Sequence, residues 1–290
     1  MRVALCQLNP QDDKQANLRR AFDAIAESAR RGAEVVVLPE MFSFMGADSE
    51  RFAHSDLLGQ GVFADLGTAA ALHSVALIGG STGERSLSDL QRDDVPISTP
   101  APHLIYNTSQ SFGPDGAVIN TYRKAHLFSL RKENNPVSPE FREADWCLAG
   151  EPPRSCFELQ CSGQVWNALV LICFDLRFPE IFRMPDLRSS PPDIVFIPAA
   201  FTFRTGRDHW EVLLRARAIE NQCYIVACNQ TGTFSSGSKR NYGHSMVISP
   251  WGEVLLDLGE DAHVGILDID LDRVRSVRAQ LPALASRVIN

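Results

Sequence analysis

The chain has 290 residues, 44% of them hydrophobic and 22% charged, so it can bury a sizeable core. Its 28 Lys and Arg residues against 35 Asp and Glu residues give a net charge of −7, which argues against a nucleic-acid partner because such a surface needs a basic excess. Apolar runs stay well below the roughly 18 residues of a membrane span, so we expect no membrane insertion.

The seven cysteines form neither a zinc-binding pattern nor a disulfide framework. Their number is odd, they contain no C-x-x-C pair, and no His lies at ligand spacing beside them. The chain also begins inside a predicted strand, without a secretory signal. We therefore predict reduced thiols, no metal site and a cytoplasmic location.

Hydrophobic periodicity predicts alternating strands and helices in one α/β domain that spans residues 1–290. The predicted strands cover residues 3–8, 33–38, 75–78, 106–112, 117–122, 157–159, 165–172, 193–197, 224–228, 244–248, 253–256 and 265–269. The predicted helices cover residues 12–31, 57–73, 209–221 and 271–277. A further helix is predicted directly after Cys173, and Asp208 is the predicted N-cap of the third. Residues 84–104 and 129–155 are predicted to be loops.

Three chemically active side chains follow predicted strands, at the end where each strand stops. They are Glu40, Lys124 and Cys173. Open α/β sheets bind ligands along this edge, so the three side chains could converge there. A carboxylate can take a thiol proton, and an ammonium group can stabilise an oxyanion, for which the Phe174 N–H is a second donor. Taken singly, each residue also fits an ordinary role: a buried structural cysteine, a solvated glutamate and a surface lysine.

The position of Cys173 favours its ionised form. A strand-to-helix corner places the sulfur near backbone N–H groups that have no partner inside the helix. We therefore predict that Cys173 is a thiolate nucleophile.

Three segments resemble the signature motifs of the nitrilase (carbon–nitrogen hydrolase) superfamily, in the right order and spacing: VVVLPEMF, YRKAHLF and LICFDLRFPE. The resemblance implies a four-layer α-β-β-α sandwich, subunits that pair into homodimers or higher homo-oligomers, and no cofactor. It also implies a catalytic triad of Glu40, Lys124 and Cys173. A further glutamate lies beside the triad in this family, and the setting of Glu143 in Phe141-Arg142-Glu143 resembles its position.

Two further segments resemble the Nit branch of that superfamily: PAAFTFRTGRDHWEVLLRARAIENQCYIVACNQTG and YGHSMVISPWGEV. This resemblance implies an amidase for a small carboxylic amide, such as deaminated glutathione or the ω-amide of a keto acid. Such an enzyme would form a cysteine thioester and release ammonia. Arg177, Phe201 and Thr202 are the predicted pocket residues. The same triad would also serve an N-carbamoyl amino acid amidohydrolase or a nitrilase, and residues 84–104 and 129–131 depart from the branch, so the substrate stays open.

Other functions also have sequence support. Gly79-Gly80-Ser81-Thr82-Gly83 matches the G-x-S-x-G nucleophile elbow of serine hydrolases, but that motif requires a helix directly after it, and here a polar loop is predicted. Gly59-x-Gly61 lacks the third glycine of a dinucleotide-binding loop, which argues against such a cofactor. A non-enzymatic binding or scaffold protein is the third alternative, although it would not need a thiol with both a base and a cation.

Overall fold

Two β-sheets stacked face to face form the centre of the protein. A computed structural model describes residues 1–86, 104–132, 135–234, 237 and 239–288. The strands are β1 (Arg2–Cys6), β2 (Val35–Val37), β3 (Ala76–Ile78), β4 (Thr82–Glu84), β5 (Ile105–Phe112), β6 (Val118–Arg123), β7 (Ser129–Lys132), β8 (Asn135–Arg142), β9 (Cys147–Leu148), β10 (Phe157–Cys161), β11 (Gln164–Val170), β12 (Ile194–Ala199), β13 (Tyr224–Asn229), β14 (Thr231–Phe234), β15 (Lys239–Tyr242), β16 (Met246–Ile248), β17 (Val254–Asp257) and β18 (Val264–Asp268).

Five α-helices accompany the two sheets in the described part of the chain. They are α1 (Lys14–Arg30), α2 (Val62–His73), α3 (Pro185–Ser189), α4 (Phe203–Asn221) and α5 (Leu271–Gln280). Short 3₁₀ turns occur at Asp48–Glu50, Glu143–Asp145, Cys173–Arg177 and Pro179–Arg183.

Each sheet has a parallel centre. The first sheet has the order β18-β1-β2-β3-β5-β4, with β6 and β9 also paired to β5, and its strands β1, β2 and β3 are parallel. The second has the order β10-β11-β12-β13-β16-β17, with β11, β12 and β13 parallel. Parallel neighbours end on the same edge, so residues that follow β2 or β11 reach the carboxyl edge of their sheet.

Alternation along the strands divides the core into layers. The side chains that point between the two sheets include Val3, Leu5, Val35, Val37, Ala76 and Ile78. Their neighbours Ala4, Val36 and Leu77 point the other way and pack against α1 and α2. On the second sheet, α4 contributes Trp210 and Leu214 to the core. Because side chains alternate with a period of two, each strand contributes side chains to both faces of its sheet. The predicted α-β-β-α sandwich is confirmed.

The predicted loop at residues 129–155 is wrong over much of its length. Strands β7 and β8 pair antiparallel, with Ser129 opposite Arg142 and register shifts beside Arg131. Pro139, which lies opposite Arg131, has no backbone N–H to donate within this two-stranded sheet. With prolines and no apolar alternation, the segment gave no strand signal. The other predicted loop, at residues 84–104, lies for the most part outside the described residues.

Two predicted helix starts are also wrong. After Cys173 the chain forms two 3₁₀ turns instead of one helix, because Pro179 and Pro185 interrupt the ladder of backbone hydrogen bonds. Helix α4 begins at Phe203 with Thr202 as its N-cap, six residues earlier than predicted. Asp208 therefore lies inside the helix, where its carboxylate pairs with Arg207 on the surface.

Candidate active site

Lys124 lies between the carboxylates of Glu40 and Glu143. Its Nζ donates to Glu40 Oε1 at 2.8 Å and to Glu143 Oε2 at 2.8 Å. All three side chains are almost fully buried. Glu40 follows β2, Lys124 follows β6, and Glu143 opens the 3₁₀ turn after β8. Three segments that are distant in sequence thus form one ionic cluster, and each of its members is a residue that the sequence analysis selected.

Asn107 joins the two carboxylates and was missed by the sequence analysis. Its Nδ2 donates to Glu40 Oε1 at 2.9 Å and to Glu143 Oε1 at 3.2 Å. The second oxygen of Glu143 accepts from the Phe128 backbone N–H at 2.7 Å. Gln230, at the end of the second sheet, donates to the Glu40 backbone oxygen at 2.6 Å. These contacts fix both carboxylates before any ligand binds, which is the preorganisation that a catalytic site needs.

The ammonium form of Lys124 is strongly favoured. Burial lowers the pKa of Lys124, but the carboxylates of Glu143 and Glu40 raise it more, so its pKa lies well above the ordinary value. The lysine is therefore a fixed positive charge at neutral pH, able to stabilise a developing oxyanion.

Cys173 ends the second-sheet segment that follows β11 and faces the same cluster. Its backbone has φ of 49°, a left-handed conformation that is uncommon for a residue other than glycine. The side chain is buried and lines the same cavity as Glu40 and Lys124, and the charges of these two residues act on its pKa. A residue from the second sheet is thereby brought to Glu40 and Lys124 of the first.

The predicted thiolate at Cys173 is wrong for the ligand-free protein. Burial and the neighbouring Glu40 carboxylate raise the pKa of Cys173 well above its ordinary value, and these effects outweigh Lys124 and the Ala200 backbone N–H, which lower it. The 3₁₀ turn that begins at Cys173 is only five residues long, so it lacks the dipole of a full helix. Cys173 rests as a thiol, and a base must remove its proton.

Asp175 holds the turn that carries Cys173. Its carboxylate accepts from the Ile172 backbone N–H at 2.9 Å, from the Tyr122 hydroxyl at 2.7 Å and from the His126 backbone N–H at 3.0 Å. A helix was predicted directly after Cys173, and no connecting role was predicted for Asp175. The residue instead connects the nucleophile turn to the segment around Lys124.

A cavity of about 370 Å³ opens onto the cluster. The predicted residues Phe174, Arg177, Phe201 and Thr202 line it together with Glu40, Lys124, Cys173 and Glu143. Basic and apolar side chains that the sequence analysis did not select also line it: Arg51, Arg204, Lys239, Arg240, Met41, Met45 and Trp146. Such a cavity suits a small organic molecule with a negatively charged group.

Ser81 does not have the surroundings of a nucleophile elbow. Strand β4 begins directly after it, where the motif requires a helix. The serine is fully buried, and its hydroxyl accepts from the Met41 backbone N–H at 3.0 Å. This serine supports the turn next to Glu40.

In the described part of the chain, no group of three or more His, Cys, Asp or Glu side chains could hold a metal ion. None of the helices described there is long and apolar enough to cross a membrane.

Comparison with known proteins identifies the fold and chemistry. The profile of the family described as carbon–nitrogen hydrolase matches residues 2–279. The chain belongs to the carbon–nitrogen hydrolase family. This hydrolase therefore acts on carbon–nitrogen bonds other than peptide bonds. It is 35% identical over 286 residues to a deaminated glutathione amidase of Synechocystis, covering 99% of this chain and 97% of the relative. The human deaminated glutathione amidase is 34% identical, with 98% of this chain and 81% of the relative covered.

Solved structures of related hydrolases have the same fold. A member of branch 10 of the nitrilase superfamily from Saccharomyces cerevisiae superposes with a TM-score of 0.80 at 27% identity, over 100% of this chain and 97% of that one. The fusion protein of nitrilase and fragile histidine triad domains from Caenorhabditis elegans gives 0.81 at 30% identity, covering 99% of this chain and 65% of that one. An amidase from Nesterenkonia sp., at 26% identity and TM-score 0.71 with 97% and 98% of the two chains covered, was solved with acrylamide added to its active-site cysteine.

Proposed function

We propose that Cys173, Glu40 and Lys124 react with the substrate of this hydrolase, that Glu143 completes the catalytic site by positioning Lys124, and that the enzyme cleaves small carboxylic amides. The observation that carries the proposal is the contact of Lys124 with both carboxylates, in the wall of a cavity that Cys173 also lines. A nucleophile, a base and a cation around one cavity fit the requirements of acyl transfer through a thioester.

The proposed first half-reaction begins at the Cys173 thiol. Glu40 takes the thiol proton as sulfur attacks the amide carbonyl, and Lys124 with the Phe174 backbone N–H stabilises the oxyanion. Collapse of this intermediate breaks the C–N bond, and the leaving nitrogen receives the proton that Glu40 holds. The products of this step are an amine and a thioester on Cys173.

The proposed second half-reaction hydrolyses the thioester. Glu40 removes a proton from water, the resulting nucleophile attacks the thioester carbonyl, and the proton returns to the Cys173 sulfur as the acid leaves. Glu143 does not transfer a proton in this scheme. Its role is to hold Lys124 in place, since its two oxygens accept from Lys124, Asn107 and the Phe128 N–H.

The proposed substrate class is an amide that also carries a carboxylate. Relatives over the full length of the chain are named deaminated glutathione amidase, and the cavity is lined by basic residues. Deaminated glutathione and α-ketoglutaramate are the candidates to test first. Cleavage of the former releases cysteinylglycine, so the expected release of ammonia applies only to primary amides.

The test combines a substrate screen with detection of the acyl-enzyme. Purified protein is given α-ketoglutaramate, deaminated glutathione, simple nitriles and N-carbamoyl amino acids, and the products are quantified by mass spectrometry. We expect turnover of the two amides. Rapid acid quenching should show a mass increase on the peptide that contains Cys173.

Matched cysteine variants decide between nucleophiles. Cys173→Ala should abolish turnover and the adduct, whereas Cys156→Ala, which removes a thiol outside the cavity, should retain both. Turnover by Cys173→Ala, or an acyl adduct on Ser81, would refute the assignment. Hydrolysis of nitriles alone would refute the amidase, and no turnover with any of these compounds would favour a binding protein.

We also propose that the protein forms a homo-oligomer and works in the cytoplasm. Val212 and Ile219 on α4 and the neighbouring Trp251 are exposed apolar side chains, which supports pairing of outer helical layers. Light scattering should give at least twice the 32.0 kDa chain mass, and Val212→Glu should reduce it. A monomeric mass for the unaltered chain would contradict this.

A further inference from the structure

Arg51 and Trp146 form a pair of buried donors in the wall of the cavity. The guanidinium carbon of Arg51 lies 4.2 Å from the centre of the Trp146 ring, as in a cation–π contact. Only 6% of Arg51 and 7% of Trp146 is exposed, although both side chains line the cavity. Neither residue is among the site residues predicted from the sequence.

Each of these side chains has a donor without an acceptor. Arg51 Nη1 and Trp146 Nε1 are both buried, and neither has a hydrogen-bond partner among the described residues. The opposite edge of the guanidinium is occupied, because Arg51 Nε donates to Asp48 Oδ1 at 2.8 Å. Buried donors nearly always have a partner in folded proteins. Two unpartnered donors in the wall of one cavity therefore indicate a site for a ligand with acceptor atoms.

Three other basic side chains of the cavity contact protein groups. Arg240 pairs with Glu260 at 2.5 Å, and Arg177 Nη1 lies 3.3 Å from His209 Nδ1. Lys239 lies 5.6 Å from the centre of the Phe141 ring. Arg51 differs from these because its Nη1 is both buried and unpartnered.

We infer that Arg51 Nη1 and Trp146 Nε1 bind a carboxylate of the substrate at the end remote from the amide that is cleaved. A carboxylate has several acceptor positions and the charge that a guanidinium prefers, whereas the pair offers donors only. This inference rests on the proposed amidase function and adds the residues that select the substrate.

The surroundings of the pair favour this orientation. Trp146 directly follows the 3₁₀ turn that Glu143 opens, and its backbone N–H donates to the Glu143 backbone oxygen at 3.1 Å. The Glu143 carboxylate is occupied by Lys124, Asn107 and Phe128, so it does not use the two free donors. Met41 and Met45 pack in one cluster with Trp146 and line the same cavity, which provides an apolar surface for methylene groups.

The experiment compares charged and uncharged amides in the same enzyme. The charged probes are the monoamides succinamate, glutaramate and adipamate, and the matched uncharged probes replace each carboxylate with an isopropyl group. KM is measured for both members of each pair. Arg51→Gln should raise the KM ratio of charged to uncharged amide about 10- to 100-fold for the chain length that the unaltered enzyme prefers, because a charge-assisted bond is lost.

A second variant removes the Trp146 Nε1 donor and keeps an aromatic side chain. Trp146→Phe should raise the same ratio by about 3- to 10-fold, since it deletes one hydrogen bond from an uncharged donor to the carboxylate. Arg275→Gln is the matched control, because Arg275 also pairs with an aspartate three residues before it but does so on the exposed surface of α5. The control should leave the ratio as it is in the unaltered enzyme.

Two outcomes separate this inference from the proposed function. If the enzyme hydrolyses the amides and Arg51→Gln changes KM for both members of a pair equally, the pair is structural and the inference is wrong. If Arg51→Gln does not fold, Trp146→Phe and Arg51→Lys, which keeps the charge without the planar donors, decide by the same ratio. Failure to hydrolyse any amide would refute the proposed function instead.

Discussion

The Tyr122 hydroxyl donates a 2.7 Å hydrogen bond to Asp175, and this bond joins the strand before Lys124 to the turn of Cys173. Tyr122 lies at the end of β6, two residues before Lys124, while Asp175 lies two residues after Cys173. Burial and the Asp175 carboxylate raise the pKa of Tyr122 well above its ordinary value, so the hydroxyl keeps its proton. The spacing between nucleophile and cation therefore depends on a bond that neither residue makes itself.

Tyr122→Phe should lower kcat more than it alters KM. Loss of this bond frees the nucleophile turn and leaves Asp175 with one donor fewer. We expect a loss of about 1–2 kcal/mol in unfolding free energy and a fall in kcat of about tenfold, since small displacements at a reacting group are costly. Urea unfolding and steady-state kinetics measure the two effects.

Tyr224→Phe is the matched control for that variant. Tyr224 is also buried, and its hydroxyl donates to the Asp270 backbone oxygen at 3.2 Å, on elements that do not line the cavity. It should reduce stability and leave kcat near that of the unaltered enzyme. An equal fall in kcat for both variants would show that Tyr122 acts only through global stability.

Substitutions of Glu40 and of Lys124 should shift the pH dependence of Cys173 alkylation in opposite directions. Because the pKa of the thiol is raised, its alkylation by iodoacetamide should keep accelerating with pH beyond 9, the ordinary cysteine value. Glu40→Gln removes a group that raises this pKa, so the pH profile should move to lower pH. Lys124→Met removes a group that lowers it, so the profile should move to higher pH. Peptide mass spectrometry of the Cys173 peptide follows the rate, and a plateau below pH 8 in the unaltered protein would contradict the prediction.

Gly80→Ala should displace the backbone that carries Glu40. Gly80 has φ of 60°, and a Cβ added there would overlap the carbonyl oxygen of Pro39, the residue before Glu40. We expect a loss of stability above about 2 kcal/mol together with a fall in kcat. Gly163→Ala tests the backbone effect alone, because Gly163 has φ of 70° but open space at the Cβ position. If the two variants behave alike, the contact with Pro39 is unimportant.

Arg123→Met should destabilise the protein because it leaves the buried Glu84 carboxylate without its cationic partner. Glu84 is buried and accepts from Arg123 at 2.8 and 2.5 Å and from Thr108 at 2.6 Å. Since the Arg123 side chain is itself 41% exposed, we expect a loss of about 1–3 kcal/mol, below the value for a fully buried pair. The double variant with Glu84→Gln should recover part of this loss in urea unfolding. A larger loss in the double variant would contradict the explanation.

The sequence predicted the parts of the fold that have a regular apolar pattern. The runs before Glu40 and Cys173 are apolar and β-branched, which is typical of strands buried on both faces. The triad could be named because each member follows such a strand or its hairpin and because its motif resembles a known family. The triad can therefore be predicted from one sequence, because the pattern around each of its members is local.

Other parts of the site have no such signal. Strand β5 carries Asn107, Thr108, Ser109, Gln110 and Ser111 in succession, and all are buried. A polar run of this kind suggests solvent exposure, so nothing distinguished Asn107 as a partner of the catalytic carboxylates. Arg51 and Trp146 are 95 residues apart, and their contact arises only from the tertiary fold.

Glu40 and Lys124 belong to the first sheet and Cys173 to the second, so neither sheet contains a complete set of reacting groups. The apolar layer between the sheets consequently sets the distance from base to nucleophile as well as the stability of the protein. Turnover should then depend on how closely the two sheets pack against each other. During heating, it should fall before the far-ultraviolet circular dichroism of the strands is lost. It also follows that a chain cut between β9 and β10 would regain activity only when its two fragments reassociate.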